Sequence, residues 1–420
     1  MPSYNNAIVP SPSLAASRYY KWLVAAALFC CSTINYADRT SITALFTLLK
    51  ADLGYTDVGL GALGSVFLWS YALSSPLAGY CGDRLSRGRL IVGSLTAWSA
   101  VMALTGLVSS QWQLLAMRGA LGIVEALYLP AALALVTEYH GPDTRATAMG
   151  IVALGNFIGM MLGGSLAGYL GELYGWRTPL VVLGVAGLAL AAIVVFLLPW
   201  QPGEAVARGG GASFPRAAGQ LLRTRSFLVV AAAGVLTAIG TWIFINWLPL
   251  YFRENLSMTL TTAGLFGSSV VSLSAAVGQA AGGVLSDRVA RGGAHRRMWL
   301  QAVLIACAAP MLLAFVLTRN PYVILTALVL YSFLRGGADL NLLPLMTDLA
   351  GPHRSSTAVG LTNMANNLTG GLGVFLAGYL KAGFGLEGVF AGLTGILLID
   401  AVMLYAGYRL FLREDLCAAA

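Results

Sequence analysis

Twelve apolar runs of roughly 20–28 residues follow one another along the chain. They lie near 22–47, 57–81, 90–109, 112–137, 146–173 and 178–199, then near 226–252, 261–286, 298–318, 321–348, 356–382 and 388–412. At 1.5 Å rise per residue each run spans a hydrocarbon core about 30 Å thick. The pattern predicts an all-α integral membrane protein of 12 transmembrane helices. Between the two sets of six, residues 201–225 carry Arg208, Gly209–Gly211, Arg216, Arg223 and Arg225, and read as an exposed linker. The expected organisation is therefore an N-terminal tail (1–21), a six-helix bundle (22–200), the linker (201–225), a second six-helix bundle (226–412) and a C-terminal tail (413–420). The first 17 residues are polar, with no short apolar core and no A-x-A site, so no removable signal peptide is expected.

The two halves also repeat each other. Gly141–Gly175 and Gly351–Gly385, offset by 210 residues, agree at 14 of 35 positions. Both copies carry G-P-x-x-x-x-T-A-x-G-x-x-x-x-x-N, ending at Asn156 and Asn366, and then A-G-Y-L at 167–170 and 377–380. A repeat of half the chain length, written in apolar residues, predicts two pseudo-symmetric bundles of the kind that move a solute across a bilayer.

Composition agrees: 58% of residues are hydrophobic, 10% are charged, and there are 50 glycines. The bilayer must therefore act as solvent, with small residues allowing close helix approach. A net charge of +8 does not signal nucleic acid, because the charges sit at the ends of apolar runs. With both termini cytoplasmic, 17 Lys and Arg residues fall inside and five (Lys50, Arg177, Arg253, Arg319, Lys381) outside. The expected location is a bacterial inner (plasma) membrane. Five cysteines form no C-x-x-C pair, and three scattered histidines (His140, His295, His353) predict no metal site. Gly59–Gly64 matches G-x-G-x-x-G but opens an apolar helix rather than following a strand, so it predicts helix packing and no dinucleotide.

Six ionisable residues sit well inside the runs of helices 1, 4 and 10: Asp38, Arg39, Arg118, Glu125, Arg335 and Asp339. At about 2.5–3.5 kcal/mol per unpaired charge, six would cost on the order of 15–20 kcal/mol, more than a domain's whole stability. They must pair or face a watery cavity. Arg118 and Glu125 are two turns apart on one face, with Gly122 between them. Arg335 and Asp339 stand at i, i+4, within ion-pairing reach. Asp38 and Arg39 are adjacent, so they point about 100° apart toward different partners.

Two loops carry a further signature: Gly79-Y-C-G-Asp83-Arg84-L-S-Arg87, and Gly283-V-L-S-Asp287-Arg288-V-A-Arg291. Each resembles the G-x-x-x-D-R-x-x-R cytoplasmic gate motif of the major facilitator superfamily. Asn35-Tyr36-A-Asp38-Arg39, Arg118-G-x-x-Gly122-x-x-Glu125 with Pro130, and Asn246-W-L-Pro249-x-Tyr251 resemble the anion:cation symporter branch and the related spinster-like branch. The resemblance implies the major facilitator fold, with helices 1, 4, 7 and 10 around a central cavity. It further implies a substrate anion held by Arg39 or Arg118, whose planar fork suits carboxylate or phosphate. A carboxylate, Asp38 or Glu125, takes up a proton when its Arg is occupied, and Arg335 with Asp339 completes the relay.

Tyr36, Asn156, Asn246, Trp247, Tyr251, Asn341 and Asn366 are the remaining substrate-binding candidates, with packing or helix bridging as the alternative for each. Asp400 lies mid-helix 12 without a role. The functional expectation is a monomeric secondary transporter, a proton-coupled symporter of a small organic anion such as a sugar acid. The alternative is a spinster-like carrier of lysolipid or another amphipathic lipid. A proton is the expected coupling ion, with no cofactor, no nucleophile–base site and no enzymatic activity.

Overall fold

In the computed structural model the described residues are 19–198, 219–291, 293, 295–350 and 355–410. Most of the expected N-terminal tail, the C-terminal tail and most of the linker lie outside them, as do the side chains of Gly79, Asp83 and Arg84. These segments are helices joined by short connections. Helix α1 spans Tyr20–Ala44 and continues as Phe46–Leu53; α2 is Asp57–Arg84 and α3 is Arg87–Thr105. Helix α4 spans Gln111–Glu125 and resumes as Tyr128–Tyr139; α5 is Pro142–Tyr174 and α6 is Arg177–Leu197. The second half repeats the plan, with α7 at Arg225–Asn255, α8 at Leu260–Ala290 and α9 at Arg296–Leu317. Helix α10 runs over Pro321–Asp339 and resumes as Leu342–Ala350. The last helical run, Ser355–Leu410, breaks at Gly385, whose φ of 65° is open to a residue without Cβ. It thus forms α11 (355–384) and α12 (386–410).

Among the described residues ten helical runs are long and apolar enough to span a membrane. Dividing the last at Gly385 and adding α1, which Asn35, Asp38 and Arg39 make more polar, gives the twelve helices of a multi-pass membrane protein. Even-numbered helices begin at one end of the bundle, away from the chain termini, and four of them carry side-chain caps there. Thr56 accepts from Gly59 N–H, Thr259 from Thr262 N–H, and Ser110 with Gln113 closes a capping box. Asn320 caps α10, with Pro321 at its first turn.

The halves meet along two seams, α5 against α8 and α2 against α11. At both, a glycine of the A-G-Y-L repeat permits the approach. A Cβ on Gly168 would lie 2.6 Å from the Leu260 carbonyl oxygen at the start of α8. A Cβ on Gly378 would lie 2.5 Å from the Asp57 carbonyl oxygen at the start of α2. The repeat is thus a pair of equivalent helix crossings.

Candidate functional site

The site is built on two interrupted helices. Pro130 lacks the N–H that would continue the α4 ladder, and Pro344 does the same in α10. The breaks, at Ala126–Leu127 and Leu340–Asn341, follow directly on Glu125 and Asp339. Setting α4 on α10 at an offset of 214 exposes a second internal repeat, Gly122-x-x-Glu125-x-x-x-x-Pro130 and Gly336-x-x-Asp339-x-x-x-x-Pro344. Its glycines again mark close crossings: Gly122 meets Phe67 and Ser70 of α2, and Gly336 meets the Ala275 backbone of α8.

In the first half Asp38, Arg39, Arg118 and Glu125 form one buried cluster. Arg39 Nε donates to Glu125 Oε2 at 2.8 Å, with the Arg 7% and the Glu 0% exposed. The Arg39 guanidinium lies over the rings of Tyr71 (4.7 Å), Tyr36 (4.8 Å) and Phe67 (5.2 Å). Arg118 stacks on Phe67 at 4.8 Å. Asp38 interacts electrostatically with Glu125, Arg118 and Arg39. Both carboxylate oxygens of Asp38, Oε1 of Glu125, and Nε and Nη1 of Arg118 have no hydrogen-bond partner among the described residues. Two cations and two anions balance, while much of their hydrogen-bonding capacity is unspent.

In the second half Arg335 Nη2 donates to Asp339 Oδ2 at 3.0 Å and to Oδ1 at 3.3 Å. Between the halves lies a cavity of about 350 Å³. Tyr36, Arg39 and Tyr71 face it from one side, and Arg335, Asp339 and Asn366 from the other. Each half therefore presents one Arg to the cavity with a carboxylate bound to it. Aromatic faces around the first Arg hold its plane in place.

The cavity is sealed at the end away from the termini. Lys50 (α1) pairs with Asp57 (α2) at 2.9 Å and with Glu254 (α7) at 3.1 Å. Lys381 (α11) pairs with the same two acids, at 2.8 and 2.6 Å. The four residues close a ring of alternating charge that ties one half to the other. At the second seam Glu172 accepts from Thr261 N–H at 2.8 Å. Below the ring Ser65 donates to the Gly371 carbonyl (2.6 Å) and Trp69 to that of Leu368 (3.0 Å), both across α2 and α11.

Several expected contributors fall elsewhere. Trp247 is fully buried in this seal and donates to the Val374 carbonyl at 3.2 Å, while Asn246 donates to the Trp242 carbonyl of its own helix (2.8 Å) and abuts Gly64. Tyr251 packs in an aromatic cluster with Phe315 and Phe390. Asn341 accepts from Ser286 at 2.6 Å, joining α10 to α8. None of these four lines the cavity, and neither do Asn156, Arg118, Asp38 or Glu125. The last three stand behind Arg39 rather than beside it. Of the gate motifs, Arg87 pairs with Glu138 of α4, and Asp287 lies 3.6 Å from Arg297 of α9. Gly283 packs close to Leu340, and Arg288 and Arg291 are exposed. Among the described residues no group of His, Cys, Asp and Glu is arranged to hold a metal ion.

Sequence reading missed the ring, because its four members lie at helix ends and look like ordinary interfacial charges. It also missed the second repeat, which is only three residues deep.

Comparison with known proteins matches this architecture. A probable galactarate/D-glucarate transporter of Escherichia coli K12 is 25% identical over 92% of this chain and 95% of its own. A sphingosine-1-phosphate transporter of Mus musculus is 28% identical over 53% of this chain and 42% of its own. A bacterial homologue of the human lysosomal transporter Spinster, crystallised inward-facing and unoccupied, superposes with a TM-score of 0.85. It is 21% identical, covering 95% of this chain and 99% of that one. Residues 28–374 match the Major Facilitator Superfamily profile, and the chain belongs to that family: it is a membrane transporter, not an enzyme.

Proposed function

We propose that this protein is a proton-coupled symporter of a small organic anion, of the sugar-acid class, working by alternating access. The observation that carries the reading is the Arg39–Glu125 pair: the Arg faces the cavity and its carboxylate partner stands behind it, shielded from solvent. A substrate carboxylate that takes the guanidinium leaves Glu125 without its counter-charge. In a low-dielectric site the carboxylate is then neutralised by a proton. Asp38 and Arg118 adjoin the pair and complete the relay. Arg335 offers a second fork across the cavity, so a dicarboxylate with a hydroxylated middle is bound from both halves, with Asn366 as a polar contact.

Full-length similarity to a galactarate/D-glucarate transporter supports the same substrate class. With both termini cytoplasmic, the ring of Lys50, Asp57, Glu254 and Lys381 is the outer gate and the structure faces inward. The excess of Lys and Arg at the termini end supports that orientation in a bacterial plasma membrane, with the monomer as the working unit.

Transport of an amphipathic lipid is the second reading. It is favoured by an apolar crevice of about 400 Å³ between α7, α11 and α12, lined by Ile239, Leu376 and Phe384 among others. Proteoliposome uptake separates the two. Galactarate is expected to accumulate under an inward proton gradient, and Glu125→Gln to retain galactarate exchange but lose accumulation. Accumulation by Glu125→Gln equal to wild type refutes the role of Glu125. Lysolipid flux without galactarate binding replaces the first reading by the second.

A further inference from the structure

The symporter mechanism leaves Asp400 unused. It sits in the middle of α12, 0% exposed, a position where a charge is costly unless compensated. Its Oδ2 accepts from Thr237 Oγ1 of α7 at 2.9 Å, and its Oδ1 has no hydrogen-bond partner among the described residues. The charged groups acting on it are Arg335 and Asp339, both on α10; α7 contributes the Thr237 hydroxyl. Thr237, Arg335 and Asp339 all line the cavity, so Asp400 is one hydrogen bond removed from it.

The two halves differ in charge balance. The first-half cluster sets Arg39 and Arg118 against Asp38 and Glu125. The second sets Arg335 alone against Asp339 and Asp400, and Arg335 already spends its Nη2 on Asp339. Among the described residues one carboxylate is left over, with one neutral donor and no cation of its own. A carboxylate so placed takes a proton in preference to remaining charged.

We propose that Asp400 is a second proton-binding site, a carboxyl that holds its proton while Arg335 is paired with Asp339 and exchanges it with the cavity past Thr237. Oδ1, the oxygen lacking a partner, carries the proton, and Oδ2 keeps the Thr237 hydrogen bond. An anion that occupies Arg335 withdraws positive charge from both acids of this half. It thereby fixes the proton on Asp400 more firmly and adds a second route by which anion and proton binding reinforce each other. This coupling rests on the symport reading; occupancy of the proton site does not, and the test is arranged to keep the two apart.

Infrared pH-difference spectra of the full chain in lipid nanodiscs, without substrate, read the carbonyl stretch of protonated carboxyls directly. At neutral pH the wild type is expected to show a buried carboxyl band that Asp400→Asn lacks and Asp339→Asn retains. Thr237→Val, which preserves the carboxyl but removes its hydrogen bond, is expected to shift the band to higher frequency. A band unchanged in both Asp400→Asn and Thr237→Val, or no such band in wild type, overturns the proposal. If Asp400→Asn does not fold, the Thr237→Val shift decides alone. Galactarate uptake is measured separately: its absence from wild type counts against the transport reading and leaves the infrared result intact.

Discussion

Replacing Glu254 by Gln should unlock the ring that closes the cavity at the end away from the termini. The substitution keeps the shape of the side chain and removes its charge. Two pairs are lost, to Lys50 (3.1 Å) and Lys381 (2.6 Å), and both lysines are left to share Asp57. Lys50 and Glu254 side chains are each 32% exposed, so the lost Lys50 pair is worth about 0.5–1 kcal/mol after screening. Of the two lost pairs only this one joins the halves, the Lys381 pair lying within the second, so the substitution disfavours the closed gate by about 0.5–1 kcal/mol and shifts the open-to-closed ratio by a factor of about 2–5. Spin labels at exposed Ala51 and Ala382, in a cysteine-free background, report the separation of the halves at this end by double electron–electron resonance. The expected result is a longer-distance population that grows several-fold in Glu254→Gln. High salt should produce part of the same change in wild type and less in the variant. Identical distance distributions in the two proteins would show that helix packing at the seams holds the gate and that the ring does not.

Glu125→Leu leaves Arg39 buried without its counter-charge and should cost about 3–5 kcal/mol, read as a fall in melting temperature. The double variant Arg39→Leu with Glu125→Leu should recover most of that; an additive loss would refute the pairing. Gly168→Val and Gly378→Val should each disfavour the closed far end by about 1–3 kcal/mol through contact with a facing backbone, detected with the same spin-label pair. Gly360→Val, which meets nothing within 4 Å, should leave that distance unchanged. Outside the spans, hydrogen bonds from Trp176 Nε1 (2.7 Å) and then Arg177 Nη1 (2.8 Å) hold the Asp52 carboxyl below the usual carboxylate range. Its contribution is present above the unfolded-state value and lost as pH falls through the folded one. Melting curves of Asp52→Asn should therefore show a shallower acid-side decline than wild type, and parallel curves would refute this.

The twelve helices were legible because a bilayer demands long apolar runs, and each such run declares itself without reference to its neighbours. Arg335–Asp339 was legible for a similar reason: i, i+4 spacing within one helix fixes a contact that no tertiary arrangement has to supply. Arg39–Glu125 was only half legible. The cost of buried charge required partners, and spacing joined Arg118 to Glu125 on one face, but the hydrogen bond to Glu125 comes from Arg39, on another helix 86 residues away. Trp247 and Tyr251 misled because an aromatic side chain in a membrane helix fits a cavity wall and a packed seam equally well. Only the crossing of α2 with α11 assigns Trp247 to the seam. The ring at the far end required knowing that the ends of α1, α2, α7 and α11 converge. The A-G-Y-L repeat was visible at once, and its meaning emerged only when Gly168 and Gly378 proved to be the points where the halves touch.

Symmetry and its violation divide the labour of this molecule in energetic terms as well. The seams repeat because both halves need the same crossing, whereas the ring lies at the α2–α11 seam alone, where Lys381 stands opposite Gly171 in the repeat. A transporter that alternates must keep its two faces within a few kcal/mol of each other, since a ligand shifts the balance only by its difference in affinity for the two states. A ring worth about 1–2 kcal/mol fits that requirement. It is strong enough to bias an empty carrier toward one face, yet weak enough for an anion bound as proposed between Arg39 and Arg335 to overcome with a preference of roughly fivefold to thirtyfold. Had the gate been closed by a dry, fully buried ion network, separating it would have cost several kcal/mol per charge and the carrier would stall. In the proposed cycle, the partial exposure of the ring is therefore the property that lets the cavity charges, drawn from both halves, govern which way the protein opens.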